Sequence, residues 1–153
     1  MRGFTLLELI LVIGILAILG TVGFNFYFNF QIDVKVDEEI NRIQQILRQV
    51  QQKAVSGEEG ANWGIRFVNN TTDDQHYDVF WGDSFSSGTS TDSYYLPAGV
   101  IFTTPSSSST LDLIFNKRTG ESSSSSIITI TIQTETLSVS KSVSITPKGL
   151  ISR

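Results

Sequence analysis

The residues best suited to chemistry lie in the polar part of the chain. His76 stands among Asp73, Asp74 and Asp78, residue types that bind metal ions. No second histidine and no cysteine completes a transition-metal set, so an exposed histidine in an acidic loop is expected rather than a metal site. Asp83 and Asp92, in the Gly/Ser segment 82–93, offer carboxylates to a hard cation such as calcium, although Asp-Gly-Ser spacing is also ordinary turn chemistry. Ser138 and Lys141 make a Ser-x-x-Lys string. In a strand, positions three apart face opposite ways, and the partner motifs of enzymes that use this string are missing. Lys141, Lys148 and Arg153 are scattered cations on a chain of formal net charge -4, which offers no basic patch for nucleic acid. Asn70-Thr71-Thr72 matches a glycosylation sequon, a frequent chance string. No nucleophile, base and orienting group occur at a recognisable spacing, so an enzyme is not expected.

One further ionisable residue is out of place. Glu8 lies inside a stretch that is apolar from Leu9 to Phe24 except for Thr21, with Tyr27, Phe28 and Phe30 beyond. As a helix this stretch matches the roughly 30 Å of a bilayer core, with the aromatic residues at its far boundary. Arg2 precedes it and Asp33, Asp37, Glu38 and Glu39 follow, which orients the N-terminus toward the cytoplasm and the rest outward. A carboxylate in such a helix costs several kcal/mol on insertion scales and usually has a partner or a task. A secretory signal peptide or a plain signal anchor with a shallow acid are the ordinary alternatives. A signal peptide, however, keeps its apolar region free of charge.

The elements that position these residues follow from periodicity. Val36, Ile40, Ile43, Leu47, Val50 and Ala54 alternate spacings of four and three, so the helix continues with one apolar face and stops at Ser56-Gly57. Short strands are expected at 63–68, 77–81, 94–104, 111–115, 127–133 and 139–146, with polar loops at 69–74, 82–93, 106–110 and 122–126. Ile128, Ile130 and Ile132 alternate with Thr129, Thr131 and Gln133, the period of a half-buried strand. Thr146-Pro147-Lys148-Gly149 fits a type I turn. Strands this close in sequence pair antiparallel. With 153 residues and no cysteine, the chain has room for one domain plus an appendage, and no disulfide holds it.

The run Gly3-Phe4-Thr5-Leu6-Leu7-Glu8, behind Arg2 and before the apolar segment, closely resembles the processing site of type IV pilins and pseudopilins. The resemblance implies cleavage after Gly3 by a prepilin peptidase, N-methylation of Phe4, and an assembly role for Phe4 and Glu8. The Glu8 carboxylate would meet the N-terminal ammonium of a neighbouring subunit, so that each desolvated charge gains a partner. The three-residue leader is short for this family, and its common helix-breaking proline is absent, leaving Gly14, Gly20 and Gly23 as weak points. Leu113-Ile114-Phe115-Asn116 through Gly120, followed by a Thr/Ile hairpin ending in Ile145-Thr146-Pro147-Lys148-Gly149-Leu150-Ile151, is similar to general secretion pathway H-like minor pseudopilins.

Together these readings give an α+β, pilin-like fold, in which a long N-terminal helix packs its second half on an antiparallel β-sheet. Its expected divisions are a leader (1–3), a transmembrane and assembly helix (4–30) bounded at its apolar centre by Leu9 and Phe24, an amphipathic half (31–56) and a β domain (60–153). The resemblance implies a filament subunit of the bacterial cytoplasmic membrane with an extracytoplasmic C-terminal domain. Its partners would be the prepilin peptidase, other pilin or pseudopilin subunits, an assembly platform and the lipid bilayer, with no cofactor. The alternative is a membrane-tethered extracytoplasmic binding module on a plain signal anchor.

Overall fold

The computed structural model describes residues 5–70, 75–134 and 139–153, the side chains at 21–29 and 32 excepted. A single helix, α1 (Leu6–Ser56), takes 51 residues. Thr5 starts it: its backbone is extended, and its side-chain oxygen accepts the Glu8 N–H at 3.3 Å. Gly57 ends it with φ 71°, its N–H donating to the Ala54 carbonyl. The helix runs through Gly14, Gly20 and Gly23 without interruption.

Eight strands follow: β1 (Trp63–Asn69), β2 (His76–Trp81), β3 (Thr89–Tyr95), β4 (Val100–Thr104), β5 (Ser109–Phe115), β6 (Ile128–Thr134), β7 (Ser140–Ile145) and β8 (Ile151–Ser152). They form two antiparallel four-stranded sheets, ordered β3-β2-β1-β5 and β4-β6-β7-β8. The α+β, pilin-like arrangement is as expected, but the segment expected as one strand over 94–104 is two strands in different sheets. Pro97 and Gly99 explain the break. Val100 N–H closes a turn on the Pro97 carbonyl at 3.1 Å, and Gly99 has φ 87°. The loop expected over 82–93 also ends early, because β3 begins at Thr89. Its Thr-Ser-Thr-Asp-Ser run has no apolar alternation to announce a strand, and its residues are mostly exposed at the sheet edge.

The helical stripe closes both sheets. Val36, Ile40, Ile43, Leu47, Val50 and Ala54 are all buried, with Trp63, Ile65, Phe67, Leu113 and Phe115 from the first sheet and Ile130, Ile132, Val143 and Ile145 from the second. Each such side chain contributes about 1.5–3 kcal/mol relative to exposure, so this half of α1 is held firmly. The turn at Thr146 forms as read, with Gly149 N–H on the Thr146 carbonyl at 2.8 Å.

Candidate assembly helix

The two halves of α1 behave oppositely. From Val36 onward one face is in the core, whereas Leu6, Leu7, Leu9, Ile10, Leu11, Ile13, Ile15, Leu16, Ile18 and Leu19 all stand exposed, Leu6 at 76%. An apolar surface of this extent is not left to water in a stable protein. Glu8 stands among these side chains on the first turn, at the third helical position after the Thr5 cap. Its backbone N–H is satisfied by Thr5, and the helix N-terminus favours its negative charge. Gly3 and Phe4 lie outside the described residues, as does the Phe24 side chain.

Among the described residues no helix is long and apolar enough to cross a membrane. The described apolar side chains cover 6–20, about 22 Å at 1.5 Å per residue, against roughly 30 Å of hydrocarbon. The span read from the sequence runs on through 21–29, whose side chains lie outside the described residues.

Four sets of contacts fasten the second half of α1 to the domain, and the sequence pattern did not announce them. At the neck, Arg153 donates to Asp37 and to Asn41 Oδ1, and Lys141 Nζ lies 3.5 Å from Asp37. Partial desolvation would raise the Asp37 pKa, but the hydrogen bond from Arg153 and the charges of Lys141 and Arg153 together hold it below the ordinary value. One turn on, the buried Glu39 accepts the Tyr77 hydroxyl at 2.9 Å and lies 3.6 Å from Arg42, whose guanidinium sits 5.0 Å from the centre of the Tyr94 ring. Burial, and then the Glu39 charge, push the Tyr77 phenol well above the ordinary tyrosine range. Farther along, Gln51 Nε2 donates to the carbonyls of Gly120 at 2.9 Å and Gly149 at 2.7 Å, joining the turns before β6 and β8 to the helix. At the end, Arg118 N–H donates to the otherwise free Ala54 carbonyl at 2.8 Å.

The other residues singled out in the sequence find structural partners. His76 is not in a loop but opens β2, with Nε2 3.5 Å from Asp78 and its ring 5.2 Å from that of Tyr95. Asp73 and Asp74 lie outside the described residues, and no metal-binding group of three or more His, Cys, Asp or Glu occurs among the described ones. Asp83 accepts from Asn62 at 2.9 Å, whereas Asp92 belongs to β3. Ser138, Thr71 and Thr72 lie outside the described residues.

The face of the first sheet turned away from α1 holds a second small core. Phe80 is fully buried there over Gly64, where a Cβ would come within 2.5 Å of its ring. Phe85 packs edge-on against Phe80 at 5.3 Å, and the Arg66 guanidinium covers Phe85 at 4.1 Å. Arg66 also grips Asp112 through two hydrogen bonds of 2.6 and 2.5 Å, which raise its pKa. Gly-Asp-Ser-Phe composition reads as plain loop, so only the single apolar Phe85 within 82–88 signalled that it folds back.

No protein-family model matches the chain, and no curated protein matches it. Among solved structures it resembles the minor pseudopilin EpsH from the Type 2 Secretion System of Vibrio cholerae, with a TM-score of 0.54 over 77% of this chain and 94% of that one. At 14% identity the likeness is one of fold.

Proposed function

We propose that this chain is a structural subunit of a type II secretion pseudopilus or a related type IV pilus-like filament, in the position of a minor pseudopilin. The observation that carries this reading is the divided helix. One half is locked into a pilin-like domain while the other projects a continuous apolar surface with one acid, Glu8, near its start. A membrane takes up that surface before assembly, and neighbouring helices take it up afterwards. The same helix thereby serves as anchor in the bacterial cytoplasmic membrane and as filament core, with the domain on the extracytoplasmic side.

Maturation in this reading is cleavage between Gly3 and Phe4 by a prepilin peptidase, followed by N-methylation of Phe4. Glu8 then pairs with the Phe4 ammonium of an adjacent subunit. The pair works only where both charges are desolvated, because truncating one partner leaves the other unpaired. The fold likeness supports a subunit role over catalysis, and the partners are other pseudopilins and an assembly platform. Mass spectrometry of the chain isolated from cells with the assembly machinery tests this: the reading requires an N-methylated Phe4 terminus. A Gly3→Val variant should remain uncut, since the larger side chain obstructs approach to the scissile bond. Normal cleavage of that variant, or a wild-type chain still carrying Met1 to Gly3, would overturn the maturation step.

A further inference from the structure

The sheet edges are not treated alike. On β4, Phe102 N–H donates to Gln75 Oε1 at 2.6 Å and its carbonyl accepts from Asn69 Nδ2 at 3.0 Å, so side-chain amides close that edge. β8 has two residues, and Arg153 beyond it is tied down to Asp37 and Asn41. The C-terminal end of β5 is covered where Phe115 bridges to Ser122 and the Ile114 carbonyl accepts Ser123 N–H at 2.8 Å. Only β3 has no such cover: among the described residues no group outside β2 bonds the backbone of Asp92 to Tyr95.

Its register shows which groups are open. Leu96 N–H donates inward to the Gln75 carbonyl, and the alternation of an antiparallel ladder turns Tyr94 and Asp92 inward as well. Ser93 and Tyr95 therefore direct their N–H and C=O groups away from the sheet. The bulge between Val79 and Phe80 twists the Thr89 end aside and leaves the Asp92 end presentable. Asp92 is exposed and pairs with the core residue Val79, so its carboxylate lies on the helix side of the edge, beside Gln49 and Lys53. Lys53 does not neutralise it, since its ammonium is 3.4 Å from Glu58 and 4.3 Å from the centre of the Trp63 ring.

We propose that the β3 edge is a docking site for an extended polypeptide strand of a partner protein carrying a lysine or arginine opposite Asp92. The ladder supplies affinity through the Ser93 and Tyr95 backbone, and Asp92 supplies the charge selection. A second copy of β3 is a poor occupant, because Thr89–Tyr95 contains an acid and no cation. This site is independent of the apolar half of α1, so it stands whether or not the chain enters a filament.

The test uses the full chain in detergent micelles and the peptide Thr-Val-Thr-Lys-Thr-Val-Thr, capped at both ends, with its Lys→Glu counterpart. Millimolar Lys peptide should slow hydrogen exchange at the Ser93 and Tyr95 amides at least tenfold and bind at least tenfold more tightly than the Glu peptide. Asp92→Lys should reverse that preference. Tyr95→Pro removes an outward N–H, a change edge strands tolerate, and should abolish binding with circular dichroism unchanged. Should that variant fail to fold, the charge reversal still decides. Unslowed exchange, equal binding of both peptides, or edge protection with dimerisation before any peptide is added would each overturn the proposal.

Discussion

Replacing Tyr77 by Phe removes one oxygen from the deepest polar contact between α1 and the first sheet. The Tyr77 ring stays packed on Phe67 at 5.8 Å and Tyr94 at 5.4 Å, so no cavity opens and the aromatic contacts persist. What disappears is the 2.9 Å hydrogen bond to Glu39, whose side chain is 6% exposed and is left with Arg42 at 3.6 Å. A hydrogen bond to a charged group contributes about 1.5–3 kcal/mol, and losing it here also leaves a buried acceptor unsatisfied. The expected loss is about 2–3 kcal/mol, measured as a lower urea midpoint at unchanged slope. Glu39→Gln combined with Tyr77→Phe should recover part of the loss, giving a coupling above about 1 kcal/mol in a double-mutant cycle. The pH dependence follows from the raised phenol pKa. Because burial and Glu39 hold the folded Tyr77 neutral, its contribution is complete below about pH 10, the unfolded value, and fades as pH rises toward the folded value. Wild type should therefore lose stability above that pH more steeply than Tyr77→Phe. Equal midpoints, or parallel alkaline limbs, would refute the reasoning.

The Asp37 tie has the opposite sign. Its depressed pKa means that its contribution is present above the ordinary carboxylate range and is lost as pH falls through the lower folded value, so the Arg153 side chain should become more mobile by NMR relaxation only in acid. At Gly149, where φ is 79° and a Cβ would come within 2.2 Å of the Gly120 carbonyl oxygen, Ala should cost about 2–4 kcal/mol in urea unfolding. Gly99→Ala is the control: φ is 87° but nothing lies within 4 Å, so only the backbone strain of about 1–2 kcal/mol remains.

The readability of this fold varied with the kind of interaction. The α1 stripe, the Gly57 stop, the Thr146 turn and most core strands were legible, because each is set by local period or turn chemistry. β3 was not, since an exposed edge strand of Thr and Ser carries no burial pattern, and the exchange between sheets at Pro97 read as one long strand. Glu39, Gln51 and Phe85 were missed for another reason: their partners lie at Tyr77, at the Gly120 and Gly149 carbonyls, and at Phe80 and Arg66. Long-range pairs of this kind leave no spacing signal. At the N-terminus the case is reversed: Gly3 and Glu8 stood out by type and position, while the single chain gives Glu8 only its N-terminal turn.

The most direct measurement of the central claim is the recovery of Glu8→Gln in sheared filaments, or in crosslinks to partner pilins, from cells with the intact machinery. The substitution keeps size and hydrogen-bonding capacity but removes the charge, so membrane insertion should become easier. Breaking a desolvated ion pair costs on the order of 3–5 kcal/mol, enough to deplete a subunit more than about a hundredfold. With membrane level and cleavage after Gly3 both normal, the account predicts near-complete loss of co-assembly. Recovery at the wild-type level would contradict it and return Glu8 to an acid at the membrane surface.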